Sequence, residues 1–273
     1  MCELFAVSSS DTVEMRYDMR EFARHGGQTH SNRDGWGIVY ALDRDAYLYK
    51  EPAAAATSGL EKYVADHPHG TRLMIAHIRM ATAGEPALCN THPFRRVRGG
   101  TACHLAHNGS LPELAAAPPY QQFHSEAVGD TDSELALLIL LNRLEQAGEK
   151  ADARFDIFTH FCGEMRALGD CNFLYTEGER MFVHAHKRRY ETEGVWGPPR
   201  APGLHMRSLA PGEPGWRARG AALDGSPARA IMFASVQLDD ADWVSLPEGE
   251  TLLVERGEVL ARSNSHAGQN QFS

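Results

Sequence analysis

The chain opens Met1-Cys2-Glu3-Leu4-Phe5-Ala6-Val7 and turns polar at Ser8. Residues 3–7 read as a short strand. A strand that begins at residue 3 fixes the terminus inside a sheet, whereas chain ends ordinarily fray. The residue held there is a cysteine, which becomes the first residue once Met1 is clipped ahead of its small side chain. A thiol titrates near about 8.5 and an α-amine near about 7.7–8.0. One residue then carries a nucleophile and a base able to take its proton, directly or through one water. Cys2 taken alone reads more readily as a small, half-buried packing residue, and only residues further along the chain can overturn that reading.

Outward from this strand, residues 12–25 carry helical spacing, with Val13, Met15, Met19, Phe22 and Ala23 apolar and Gly26-Gly27 as a stop. Two β-rich runs, 36–42 and 46–50, flank Asp43-Arg44-Asp45 as a hairpin. Ser58 and Glu61 have capping-box spacing and open a helix to about residue 66. Strands are predicted at 72–78 and 101–106, the second followed by a turn at His107-Asn108-Gly109. Thr131 and Glu134 form a second capping box, opening a helix to about Gln146. That helix is apolar nearly all round, so it is covered on several sides. A helix at 155–168 and a hairpin of 171–176 with 180–186 come next. Residues 190–228, broken repeatedly by proline and glycine, read as loops with one short strand near 204–209. Strands return at 230–237 and 251–255, the latter ending in a tight turn at Arg256-Gly257. Hairpin strands with inserted helices predict an α+β layered sandwich of antiparallel sheets with helices outside. Residues 2–262 are expected to form a single domain and 263–273 a disordered tail.

The bulk properties exclude several classes. A formal net charge of −9 over 273 residues argues against a nucleic-acid partner. The short basic runs at Phe94-Arg95-Arg96-Val97-Arg98 and Lys187-Arg188-Arg189 are expected to be solvated loops. The five cysteines, at 2, 89, 103, 162 and 171, have no paired or zinc-like spacing. Cys89, Cys103, Cys162 and Cys171 are expected as core thiols. The opening residues lack a basic region followed by an apolar stretch, so no signal peptide is expected, and no run reaches the ~20 apolar residues of a membrane span. A cytoplasmic protein with reduced thiols is expected. His67 with His69 and His184 with His186 lack a third ligand, so no metal is expected, and no cofactor either. Trp36 and the aromatic residues of 46–49 are expected in the core or on strand faces.

Three further segments carry candidate chemistry. His77-Ile-Arg79-Met-Ala-Thr82-Ala-Gly84 places an arginine at a strand end before a small-residue turn. That suits bidentate binding of a carboxylate, or an ordinary surface ion pair. His107-Asn108-Gly109-Ser110 offers an amide side chain and the next N–H as two donors for one oxyanion, or simply a turn. Gly129-Asp-Thr-Asp132-Ser-Glu134 caps a helix, or provides Asp132 to hold an ammonium group.

The ordered set of Cys2, Arg79-Met-Ala-Thr82-Ala-Gly84, His107-Asn-Gly109 and Asp130-Thr-Asp132-Ser-Glu134 resembles the class II glutamine amidotransferase family. Met1-Cys-Glu-Leu-Phe5, Arg33-Asp-Gly-Trp-Gly-Ile-Val39 and Asn90-Thr-His-Pro-Phe94 look similar to its small stand-alone members. The resemblance implies the αββα four-layer sandwich of N-terminal-nucleophile hydrolases. It implies that Cys2 attacks the γ-carboxamide of glutamine to give a γ-glutamyl thioester, with Asn108 and Gly109 as oxyanion hole. Arg79 and Thr82 would hold the substrate carboxylate and Asp132 its ammonium, while Arg33 and Gly35 would support the nucleophile loop. Two departures stand out. Met80 and Ala83 replace the Trp and His common in synthase-linked relatives, a loss that His92 or Thr91 would have to restore. The residues after the 171–186 hairpin read as loops and a few strands, so no acceptor domain for the ammonia is expected within them. The expected substrate is glutamine or a γ-glutamyl compound. Three activities remain open: a glutaminase passing ammonia to a separate synthase subunit, a γ-glutamyl amidase without transfer, and a catalytically silent ligand-binding protein.

Overall fold

The computed structural model describes residues 2–19, 34–80, 84–148, 150–192, 195–209, 213, 215–218 and 220–263. The strands are β1 Glu3–Tyr17, β2 Trp36–Ala41, β3 Ala46–Glu51, β4 Gly70–Ile78, β5 Phe94–Arg98, β6 Thr101–Ser110, β7 Asp170–Glu177 and β8 Arg180–His184. They continue as β9 Glu191–Thr192, β10 Val195–Trp196, β11 His205–Leu209, β12 Trp216–Ala218, β13 Ala221–Asp224, β14 Ala230–Ala234, β15 Val244–Ser245, β16 Thr251–Glu255 and β17 Glu258–Ser263. Three α-helices are described: α1 Gly59–Asp66, α2 Asp132–Leu144 and α3 Ala151–Leu168.

Two antiparallel sheets face each other. The larger has nine strands, in the order β15-β11-β14-β1-β4-β2-β3, with β13 pairing the second half of β1 and β12 pairing β13. The smaller runs β17-β16-β8-β7-β6-β5. Side chains alternate across β1, so Leu4 and Ala6 enter the layer between the sheets with Val39, Ile75, Leu174, Val183 and Phe233. Phe5 and Val7 point to the opposite face, where Trp36, Ile38, Tyr40, Met74 and Val64 of α1 pack. Both faces of β1 are therefore covered, which is why its opening is a continuous apolar run. The outer face of the smaller sheet presents Leu105, Phe173, Tyr175 and Phe182 to α2 and α3. This is the expected α+β sandwich, with helices on the outside. No described helix is long and apolar enough to cross a membrane.

Several local expectations are corrected. Residues 12–17 are strand: Val13, Met15 and Tyr17 are buried while Glu14 and Arg16 are exposed, a period of two. The strand continues past an irregularity between Ser8 and Val13, flanked by β4 and β13. The rest of the expected 12–25 helix falls mostly outside the described residues. Asn108-Gly109 is not a turn. It continues β6, with Asn108 opposite Asn172 and Gly109 opposite Cys171. Phe94–Arg98 is an edge strand and not a loop, its arginines guarding an edge in the usual way. In the second basic run Arg188 is buried, donating to the Ser235 carbonyl, with its guanidinium 5.3 Å from the Tyr190 ring centre. The 190–228 segment holds four more short strands than expected, β9, β10, β12 and β13. β17 reaches Ser263, one residue into the expected tail, and 264–273 lie outside the described residues. Cys103, Cys162 and Cys171 are buried, but Cys89 is only half-buried.

Candidate active site

The start of β1, the end of β4, the end of β6 and the first turn of α2 meet at one end of the sandwich. Glu3 pairs with Ile78, so Cys2 lies beside the residues leaving β4. The Met80 N–H donates to Cys2 Sγ at 3.2 Å, and the thiol donates back to the Met80 carbonyl at 3.3 Å. Burial pushes the Cys2 thiol up, opposed by the Met80 hydrogen bond and by the charge of Arg79.

Asn108 approaches from the facing sheet. Its Nδ2 donates to the Cys2 carbonyl at 2.8 Å and to Ser235 Oγ at 3.2 Å, which commits both amide hydrogens. Ser235 Oγ also accepts from the Leu4 N–H at 3.1 Å, so one hydroxyl ties the start of β1 to the Asn108 amide. On the next strand Asn172 Nδ2 donates to the Asn108 carbonyl at 2.9 Å and to the Lys187 carbonyl at 2.8 Å. Gly109 is required by space: a Cβ there would lie 1.9 Å from the Asp170 carbonyl oxygen and 2.7 Å from His107 Nε2.

Asp132 stands at the α2 N-terminus, where the helix dipole favours an anion. The Leu111 N–H donates to Asp132 Oδ2 at 2.6 Å and the Ser133 hydroxyl to Oδ1 at 3.1 Å. Only the N-cap half of the expected capping box forms, with Thr131 Oγ1 accepting from the Glu134 N–H at 3.3 Å. The Glu134 carboxylate does not reach back to Thr131. It accepts from the Gly129 N–H at 2.7 Å and pairs with Arg96.

Arg79 is buried, donating to the Asp34 carbonyl at 3.2 Å and the Gly84 carbonyl at 2.9 Å, while its own N–H reaches the Gly35 carbonyl at 2.8 Å. Gly35 has a φ of +138°, a region that favours glycine. His92 is buried against His77, ring centres 4.2 Å apart, and burial holds it well below the ordinary histidine range.

Cys2, Arg79, His92, Gly109 and Asp132 thus line one cavity, completed by Met80, His107, Thr131 and Ser133, with an interior of about 20 Å³. That is space for about one water, so a glutamine side chain requires the walls to part. Thr82 and Arg33 lie outside the described residues. A far larger cleft, about 620 Å³, opens at the other end of the sandwich around Thr101, Glu177 and Arg180. Four of its five arginines pair with acids, as Arg98–Glu145, Arg154–Glu177, Arg180–Glu255 and Arg256–Glu179, and Arg44 donates to the Gly99 carbonyl, so no strong concentration of one charge is left for a ligand.

Sequence reasoning found the side chains at the nucleophile but missed Ser235, Asn172 and the Met80 backbone. Ser235 and Asn172 belong to no motif, and a backbone contact has no residue signature. Ser133 was visible only as the inside of a capping box.

Cys2 thus sits at the rim of a two-sheet α+β sandwich, facing the strand-end Asn108-Gly109. A family model described as class-II glutamine amidotransferases matches residues 1–273, and the chain belongs to that family. It is an enzyme of the amidotransferase type. Among curated relatives, YafJ of Escherichia coli, a candidate glutamine amidotransferase, is 32% identical over 188 residues, covering 67% of this chain and 72% of that protein. A crystal structure of a candidate glutamine amidotransferase from Pseudomonas aeruginosa superposes with a TM-score of 0.70 at 26% identity, covering 95% of this chain and 100% of that one. The glutamine phosphoribosylpyrophosphate amidotransferase of Bacillus subtilis shares the fold, with a TM-score of 0.57 at 16% identity. That match covers 96% of this chain and 49% of the longer enzyme.

Proposed function

We propose that the chain hydrolyses the γ-carboxamide of glutamine through a Cys2 γ-glutamyl thioester. The observation that carries this reading is the placement of Cys2 Sγ, held by the Met80 backbone, in the same small cavity as Gly109, Arg79 and Asp132.

Removal of Met1 frees the α-amine of Cys2. The amine takes the thiol proton, and the thiolate attacks the γ-carbonyl carbon. The oxyanion forms against the Gly109 N–H. The Asn108 amide joins it by exchanging its hydrogen bond to the Cys2 carbonyl for one to the oxyanion. Collapse breaks the C–N bond, and ammonia leaves with the proton returned by the amine. Water then attacks the thioester, giving glutamate and the free thiol. Glutamine and water are consumed, glutamate and ammonia are produced.

Recognition is assigned to the two ends of the amino-acid head. Arg79, with Thr82, holds the carboxylate, and Asp132 holds the ammonium. Gly35 supports Arg79 through its carbonyl, Arg33, two residues earlier in sequence, is assigned a supporting role, and His92 closes the wall. The ammonia passes to a separate acceptor, by analogy with the longer phosphoribosylpyrophosphate amidotransferase.

The test is the release of ammonia and glutamate from glutamine by protein lacking Met1. Equimolar release, abolished in Cys2→Ala, is expected. Processed protein that releases nothing from glutamine or from small γ-glutamyl amides would overturn the reading.

A further inference from the structure

His107 and Ser133 form a buried chain that ends on Asp132. His107 Nδ1 lies 2.8 Å from Ser133 Oγ, and Ser133 Oγ lies 3.1 Å from Asp132 Oδ1. The other ring nitrogen, Nε2, lies 3.4 Å from the Asp170 carbonyl. His107 and Ser133 are both buried, on β6 and α2 respectively. A Cβ on Gly109 would lie 2.7 Å from His107 Nε2, so the imidazole stands close to the strand end as well as to the helix start.

The hydrogens available are fewer than the contacts. Burial holds His107 below the ordinary histidine range, so the ring is neutral and carries one N–H. With that hydrogen on Nε2, the ring donates to Asp170, and the single Ser133 hydrogen is drawn to Nδ1 and lost to Asp132. With the hydrogen on Nδ1, the ring donates to Ser133, whose own hydrogen is free for the carboxylate. The second arrangement uses the 2.8 Å contact instead of the 3.4 Å one. It also gives a hydroxyl hydrogen to an anion, the stronger kind of bond. Asp132 is then held by two donors from different elements, Leu111 N–H on Oδ2 and Ser133 on Oδ1. Each oxygen keeps a lone pair for the cavity.

We infer that Ser133, held in its donating orientation by the Nδ1–H tautomer of His107, is the positioning residue that aims the Asp132 carboxylate at the ammonium group of the substrate. The inference rests on the role proposed for Asp132 in glutamine recognition. It adds a determinant of selectivity: the site discriminates an α-amino acid from its deaminated analogue through a hydroxyl that need not touch the ligand.

The test compares binding of glutamine and of glutaramate, the same chain without the amino group, by calorimetry in the Cys2→Ala protein. Ser133→Ala in that background is expected to weaken glutamine about tenfold, the worth of one hydrogen bond to a charged group. Glutaramate affinity should not change, and Ser133→Thr should restore glutamine binding. Equal losses for both ligands would mean a merely structural serine and would overturn the inference. Glutamine bound no tighter than glutaramate would overturn it through Asp132. Selective binding that Ser133→Ala erases, with no turnover by the processed wild type, would defeat the hydrolase reading and uphold this one. Heteronuclear NMR of the imidazole nitrogens in the free wild-type protein decides without ligand or variant. The His107 proton on Nδ1 is the expected result, and a proton on Nε2 overturns the positioning role.

Discussion

The Asn108 side-chain amide donates to the Cys2 carbonyl at 2.8 Å, so an oxyanion donor and the nucleophile of the proposed reaction are bonded to each other at rest. The same amide holds Ser235. Asn108→Ala is expected to lower kcat by roughly 10²–10³ with little change in KM, the usual effect of losing one oxyanion donor. Steady-state ammonia release measures it. A KM effect with kcat preserved would place Asn108 in ground-state binding instead.

Gly109→Ala meets an obstacle that no side-chain movement relieves. The new Cβ would lie 1.9 Å from the backbone oxygen of Asp170 on the paired strand. The β6–β7 ladder must open at that point. A loss of about 1–3 kcal/mol of stability is expected from overpacking, together with loss of activity. Denaturant midpoints would check the first, and an unchanged midpoint would mean that the strands separate there without cost.

Stability should fall in mild acid. His77 and His184 are fully buried, and burial lowers each from 6.5 to about 3. Burial lowers His104 likewise, to about 4. Below about 6.5 the unfolded chain takes up protons on these rings that the folded protein refuses. Their contribution is therefore complete above about 6.5 and is lost progressively as the pH falls towards 3–4. The slope is on the order of 1.4 kcal/mol per pH unit for each ring. Glu3 opposes them: burial raises its carboxyl to about 7, so the folded state gains by protonation between about 7 and the unfolded value of 4.5. Three rings against one carboxyl leave a net loss between pH 6.5 and 4.5. Melting temperatures across that range test the sign, and a rise on acidification would contradict it.

Arg154 and Glu177 anchor α3 to β7. The guanidinium donates twice to the carboxylate and also to the Leu144 and Gly148 carbonyls, and the Tyr175 hydroxyl donates to the same carboxylate. Both side chains are largely shielded, at 15% and 11% exposure. Arg154→Ala leaves a shielded, unpaired carboxylate and is expected to cost about 3 kcal/mol, the low end for a broken buried pair. Equilibrium urea unfolding reads this directly, and a change under about 0.5 kcal/mol would mark the pair as an ordinary surface one.

Much of the sandwich was legible because its strands and capping boxes carry local signals. Ser58 and Thr131 cap as their spacing requires, and the 36–51 hairpin forms where predicted. The misreadings occurred where tertiary pairing overrode a local cue. Val13, Met15 and Tyr17 satisfy a period of two as well as they support a helix, and only the neighbours β4 and β13 decide between them. Asn108-Gly109 is a strong turn signal on its own, yet β7, some 60 residues further along, extends it as strand. Cys2, Arg79, Asn108, Gly109 and Asp132 were each nameable from motifs. The groups that orient them, Ser235, Asn172 and the Met80 backbone, were not, because orientation comes from strand register.

The most direct measurement is the intact mass of natively expressed protein, before and after treatment with a diazo-ketone analogue of glutamine. The account predicts loss of Met1 and a single covalent adduct, absent in Cys2→Ala. Retained Met1, which leaves no free α-amine on Cys2, would contradict it, as would an adduct that survives in Cys2→Ala.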